Sequence, residues 1–276
     1  MDPKEPKVIC IMPCYNAKET LAQAIESVIN QRYINWRLII VDDASTDNSV
    51  KIAKKYLKDS RVTLLQNKTN RGCYYSRNRA LHYVKDKEWD WFTVHDSDDT
   101  SHPDRFSAFM GYAYNYLFNY IYSASQGNRY DWNQCKLIYK KETNAIGQAF
   151  ISNYLFNTLG YFNSNMRFGA DAEYEFKTRI ITATEVQDKL GIEDIDHKIM
   201  EEYCQENKVY IGALDLRFAF LYSMGYTLGN NLTQQIPLKK RMEYRDNYEE
   251  KWGQGGLSLT DFYQNFEPHP EDIILK

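Results

Sequence analysis

Trp91-Phe92-Thr93-Val94-His95-Asp96-Ser97-Asp98-Asp99 carries an apolar run straight into three carboxylates within four residues. The run suits a buried strand. Unpaired carboxylates are costly to bury, so the cluster must face water, a cation or both. Asp96 and Asp98 are two apart, and in an extended segment both side chains point the same way and can share one ion. Hard oxygen ligands suit Mg²⁺ or Mn²⁺, and Mg²⁺ commonly takes one or two carboxylates plus substrate phosphates. A solvated acidic loop with an Asx-turn is the competing reading of these residues taken alone.

Three further apolar runs precede this one, at 8–12, 38–41 and 62–65. Leu21, Ile25, Val28 and Ile29 recur at helical spacing within 18–31. Ser45-Thr46-Asp47 offers caps for a second helix with Val50, Ala53, Tyr56 and Leu57 on one face. A third helix covers about 76–84. The order β-α-β-α-β-α-β with near-continuous apolar strands predicts an α/β fold, a Rossmann-like and mainly parallel sheet with helices on both faces. Ligands bind such sheets beyond the carboxyl ends of the strands. Those ends here deliver Tyr15-Asn16, Asp42-Asp43 and the Asp96–Asp99 cluster. Neither G-x-G-x-x-G nor G-x-x-x-x-G-K-[ST] occurs, which argues against dinucleotide and P-loop sites.

The later sequence is less patterned. A strand is expected at 136–140, an amphipathic helix at 173–190, a half-buried strand at 214–218 and a surface helix at 243–252. Residues 106–128 carry no charge but include five tyrosines and three asparagines, which fit a buried aromatic helix after Pro103 better than a membrane span. The net charge of −3 gives no sign of a general nucleic-acid or anionic-membrane binder. Five cysteines without a C-x-x-C pair indicate free thiols in a reducing compartment and no structural zinc. With no signal-peptide pattern at residues 1–12, the expected place is the cytoplasm, with peripheral membrane contact through the aromatics as the alternative.

The N-terminal third resembles the family 2 glycosyltransferases of the GT-A fold. The resemblance rests on five ordered motifs: Val8-Ile9-Cys10-Ile11-Met12-Pro13-Cys14-Tyr15-Asn16; the Ala24–Gln31 helix; Val41-Asp42-Asp43-Ala44-Ser45-Thr46-Asp47; Asn70-Arg71-Gly72 with Ser76-Arg77-Asn78; and Asp96-Ser97-Asp98, similar to D-x-D, with Pro103-Asp104 downstream. Further on, Leu159-Gly160-Tyr161-Phe162 and Gly169-Ala170-Asp171 resemble the family's G-x-F…G-E-D block, with Ala170 replacing the usual Glu. Leu228–Thr233 resembles a later block but lacks the histidine some relatives carry there.

The resemblance implies a metal-dependent, inverting transfer of a hexosyl or N-acetylhexosaminyl group from a nucleotide-sugar donor to an acceptor hydroxyl. It implies that Pro13, Tyr15, Asn16, Asp43, Arg77, Asn78, Asp96 and Ser97 bind the donor. Asp98, with Asp96, would hold Mn²⁺ or Mg²⁺, and Asp171 would be the catalytic base. A carboxylate at Asp43 can accept the imide N–H of uracil or thymine, which favours UDP or dTDP, with GDP compatible. On the residues alone, Asp43 and Asp171 also read as helix caps and Arg77 as a surface ion pair. The expected layout is one GT-A domain, with a nucleotide-sugar half at 1–105, an acceptor half at 106–235 and a C-terminal tail at 236–276. A glycan or lipid-linked acceptor, as in polysaccharide biosynthesis, is the default; a protein or modified nucleic-acid acceptor stays open, as does the oligomeric state. The rival readings are a catalytically inactive nucleotide-sugar-binding protein of the same fold and a nucleotidyltransferase.

Overall fold

A computed structural model describes residues 5–116, 126–131, 136–142, 149–166, 168–171, 173, 174, 177, 221–223, 239, 240, 243 and 266–275. In chain order the elements are β1 (Val8–Cys14), α1 (Leu21–Ile29), β2 (Trp36–Asp42), α2 (Ser49–Lys54), β3 (Val62–Gln66), α3 (Cys73–Val84), β4 (Trp91–Val94), β5 (Asp99–Ser101), α4 (Arg105–Tyr116), β6 (Gln126–Asp131), β7 (Lys136–Glu142), β8 (Phe150–Ser152), α5 (Asn153–Leu159), β9 (Leu221–Ser223) and β10 (Ile273–Leu275).

The main sheet runs β10-β3-β2-β1-β4-β8. Its four inner strands are parallel, and the two edges, β10 on β3 and β8 on β4, are antiparallel. The alternation along β1 explains both layers. Val8, Cys10, Met12 and Cys14 pack with Leu21, Ile25 and Val28 of α1 and with Phe106 and Phe109 of α4. Ile9 and Ile11 face the opposite side, against Ala80, Leu81 and Val84 of α3 and Leu155 and Leu159 of α5. A period of two on a strand buried on both faces gives the continuous apolar run seen in the sequence.

Several expectations shift in detail. Helix α1 starts at Leu21 because residues 17–20 form a turn, with Thr20 and Leu21 N–H both donating to the Ala17 carbonyl. The uncharged 106–128 stretch is not one helix: α4 contributes Phe106, Phe109 and Met110 to the core, and the strand β6 has begun by Gln126. The segment set apart as a tail supplies β10, an edge strand of the main sheet. Most of the expected 173–190 helix, the 214–218 strand, the 228–233 block and most of the 243–252 helix lie outside the described residues. Among the described residues no helix is long and apolar enough to cross a membrane.

Candidate active site

The carboxyl ends of β1, β2 and β4 come together with the start of α3, as the sheet order requires. On the β1–β2 side the polar groups bond mainly to one another. Asn16 adopts a positive φ of 48°, and its Oδ1 accepts from Thr46 N at 2.8 Å while its own N–H donates to Ser45 Oγ at 2.9 Å. Asn16 thus ties the β1 end to the β2 end.

Asp43 is buried, and its carboxylate accepts from Asn67 Nδ2 at 2.6 Å, Arg71 N at 2.9 Å and Gly72 N at 2.7 Å. These bonds fold the loop after β3 around it, so a base N–H would have to share an oxygen already in use. Asp43 does not cap α2. Asp47 does the local work there, accepting from Ser49 N and from Lys18 N. Pro13 is buried in β1, and Tyr15 beyond it is half exposed, a flat ring at the strand end. Neighbouring Asp42 has its carboxyl pKa raised, chiefly by burial, and lines a cavity of about 360 Å³ with Gln66, Lys68 and Glu271.

The β4–α3 side is built differently. Arg77 is wholly buried, donates from Nη2 to Asp96 Oδ1 at 3.1 Å, and lies 5.0 Å from the Tyr74 ring centroid. Its Nε and Nη1 are buried without a hydrogen-bond partner. Burial works against the guanidinium charge, but Asp96 and other neighbours outweigh it and raise the pKa, so the group stays charged. On the same face, Tyr74 Oη donates to Asp171 Oδ1 at 2.9 Å. Residues three apart on α3 therefore hold Asp96 at the strand end and Asp171 in one place.

Asp171 sits in the first turn of a helical segment that follows Gly169, whose φ of 83° favours glycine. Its neighbour Ala170 is buried in the core. Asn78 faces the protein rather than a donor. Its Nδ2 donates to Phe162 O and its Oδ1 accepts from Phe162 N, both at 2.8 Å, fastening residues 160–162 to α3. Ser97 is buried and Asp98 half-buried between the two flanking acids. His95 lies fully buried beneath them, with Nδ1 3.0 Å from the Asp96 carbonyl and its pKa pushed down to about 3 by burial and by Arg105. It is a neutral core residue. Sequence reasoning missed Tyr74, one of 23 tyrosines, at a position its motif leaves unspecified.

The sequence profile described as glycosyl transferase family 2 matches residues 9–174, well over half of the chain. The chain belongs to glycosyl transferase family 2. Similar proteins include an Escherichia coli protein named UDP-Glc:alpha-D-GlcNAc-diphosphoundecaprenol beta-1,3-glucosyltransferase WfgD, 40% identical over 92 residues, covering 33% of this chain and 35% of that one. A Haemophilus influenzae protein described as an uncharacterized glycosyltransferase is 37% identical over 130 residues, 45% of this chain and 51% of the other. The matched region thus spans between a third and about half of these relatives. Among solved structures, residues 1–349 of TarS from S. aureus, crystallised with UDP-GlcNAc, superpose with a TM-score of 0.53 at 20% identity, over 63% of this chain and 53% of that one. That likeness establishes the GT-A fold expected from the sequence.

Proposed function

We propose that the protein transfers a sugar from a nucleoside diphosphate donor, UDP-linked in the first instance, to an acceptor hydroxyl with inversion at the anomeric carbon. The observation that carries this reading is the pair of bonds from one turn of α3: Arg77 to Asp96 and Tyr74 to Asp171. Donor-side and acceptor-side carboxylates are thereby neighbours, as a single displacement needs. The UDP preference is supported by WfgD, whose name specifies a UDP-glucose donor and a lipid-diphosphate acceptor; an acceptor of that class, a lipid-linked glycan, is the working choice here.

Asp171 takes the acceptor hydroxyl proton as that oxygen bonds the anomeric carbon, typically worth about 10²- to 10⁴-fold. The bond to the diphosphate breaks with its electron pair leaving on the diphosphate oxygen. Attack and departure on opposite faces invert the centre. The half-exposed Tyr15 ring offers the base a stacking face. Arg77 brings a fixed positive charge beside Asp96 at the strand end, where it offsets the charge of the phosphates.

Among the described residues no group of three or more His, Cys, Asp and Glu gathers as a metal cage. The oxygen donors of Asp98 and Asp96 instead fit a cation whose shell is completed by phosphates and water. Held there, Mn²⁺ or Mg²⁺ would supply Lewis-acid neutralisation of the departing diphosphate.

The test is thermal stabilisation by UDP-, dTDP- and GDP-sugars with and without Mn²⁺. A donor at about 100 times its Kd should add roughly 2.7 kcal/mol. Asp98→Ala should remove the Mn²⁺-dependent part of that gain. If no nucleotide sugar shifts the melting curve, the proposal is wrong.

A further inference from the structure

Tyr74 occupies an unspecified position between Gly72 and Ser76 of the Asn70–Asn78 motif, yet it makes a hydrogen bond to the proposed base. Its ring is wedged: Phe162 lies at 6.1 Å between centroids on one side, and the Arg77 guanidinium carbon is 5.0 Å from the ring centroid. Phe162 is itself packed on Tyr174 at 4.6 Å. A ring so enclosed has few rotamers, so the hydroxyl is held at one point rather than swinging.

From that point Oη donates to Asp171 Oδ1 at 2.9 Å. Burial first, then the Asp171 charge, raise the tyrosine pKa well above its ordinary value. The hydroxyl therefore remains a donor across the working pH range. A hydrogen bond to one oxygen restricts the rotation of a carboxylate and with it the directions of its other lone pairs.

We propose that Tyr74 is a positioning residue for transfer, its hydroxyl orienting the Asp171 carboxylate toward the acceptor hydroxyl. This rests on the reading of Asp171 as the base. The two ideas fail in different ways. The bond contributes to the chemical step and not to donor capture, which belongs to Arg77 and the strand ends. Positioning errors of about 1 Å cost on the order of 100-fold in rate, so loss of the hydroxyl should lower kcat by roughly 10- to 100-fold.

The experiment is Tyr74→Phe, Asp171→Asn and the double variant, assayed for transfer with a UDP-sugar and for donor Kd by calorimetry, with melting curves recorded. Phenylalanine keeps the ring and its packing, so the fold is retained. The expected result is a fall in kcat with donor Kd unchanged and a stability loss of no more than about 1 kcal/mol, the net worth of the lost hydrogen bond. Adding Tyr74→Phe to Asp171→Asn should then cost nothing further, because the hydroxyl acts through that carboxylate. A Tyr74→Phe kcat within about twofold of the parent, with Asp171→Asn inactive, overturns the role of Tyr74 and leaves the base in place. Full additivity in the double variant also overturns it. Undiminished transfer by Asp171→Asn would instead remove the base, and this proposal with it.

Discussion

The β1–β2 end and the β4–α3 end of the site are both crowded with polar side chains, but they spend them differently. Around Asp43 and Asn16 the donors and acceptors bond to each other, and the result is a folded loop. Around Arg77 two buried nitrogens are left without partners beside a half-buried carboxylate. An unsatisfied buried donor costs roughly 1–3 kcal/mol, more when charged, so a protein keeps one where something else completes it. We read the first end as framework and the second as receptive, although Asp42 Oδ1 on the first is also buried without a partner. Motif matching alone treats them as equivalent.

The comparison breaks first, if it breaks, at Asp171. Asp171→Asn should lower turnover by about 10²- to 10⁴-fold while the donor still binds, measured by single-turnover transfer beside calorimetry. A rate near the parent value would move the base elsewhere. Arg77→Met comes next. Removing the buried guanidinium should weaken donor binding by roughly 10- to 100-fold, the worth of one or two charge-assisted hydrogen bonds. Its melting temperature should not fall, because Asp96 is 44% exposed and can be rehydrated once the cation is gone. A large drop in melting temperature with donor affinity intact would make Arg77 framework after all.

How much of this was legible depends on range. The four inner strands were readable because burial on both faces leaves uninterrupted apolar runs such as Leu38 to Val41. The edge strands were not. Phe150–Ser152 and Ile273–Leu275 are three residues each, too short for any period, and Ile273 and Ile274 are both about half exposed. The position of Asp96 and Asp98 at a strand end followed from the sequence alone. The partners of Asp43, 24 to 29 residues away, did not. Nor did Asn78, whose amide bonds to the backbone of Phe162, 84 residues on. A motif names a residue type, and only the folded chain says whether it faces a ligand or the protein itself.

Asp43→Asn sharpens the framework side. The amide keeps one acceptor but turns an N–H₂ toward the Arg71 or Gly72 N–H, so a charge-assisted bond becomes a clash. A loss of about 1.5–3 kcal/mol is expected, seen as a fall of several degrees in melting temperature. Donor affinity should weaken only in step with the loosened loop. If stability held and affinity alone collapsed, Asp43 would belong to the receptive end.

The smallest effect offers the closest control, since it concerns two adjacent tyrosines. Tyr74 points its hydroxyl at Asp171. Tyr75, the next residue on α3, donates to Asp272 Oδ2 at 2.9 Å and accepts from His269 N at 2.8 Å, and Phe266 packs on its ring at 5.0 Å. Asp272 also accepts from Lys68 N, so this cluster pins the C-terminal strand to the loop after β3. Tyr75→Phe should therefore cost about 1 kcal/mol in urea unfolding, the net worth of an ordinary hydrogen bond, with kcat unchanged. Tyr74→Phe should carry a similar stability cost but add a loss of kcat, so the two differ in turnover. One hydroxyl removed at each of two consecutive positions thus separates the framework from the chemistry. The separation fails if the two variants behave alike in turnover.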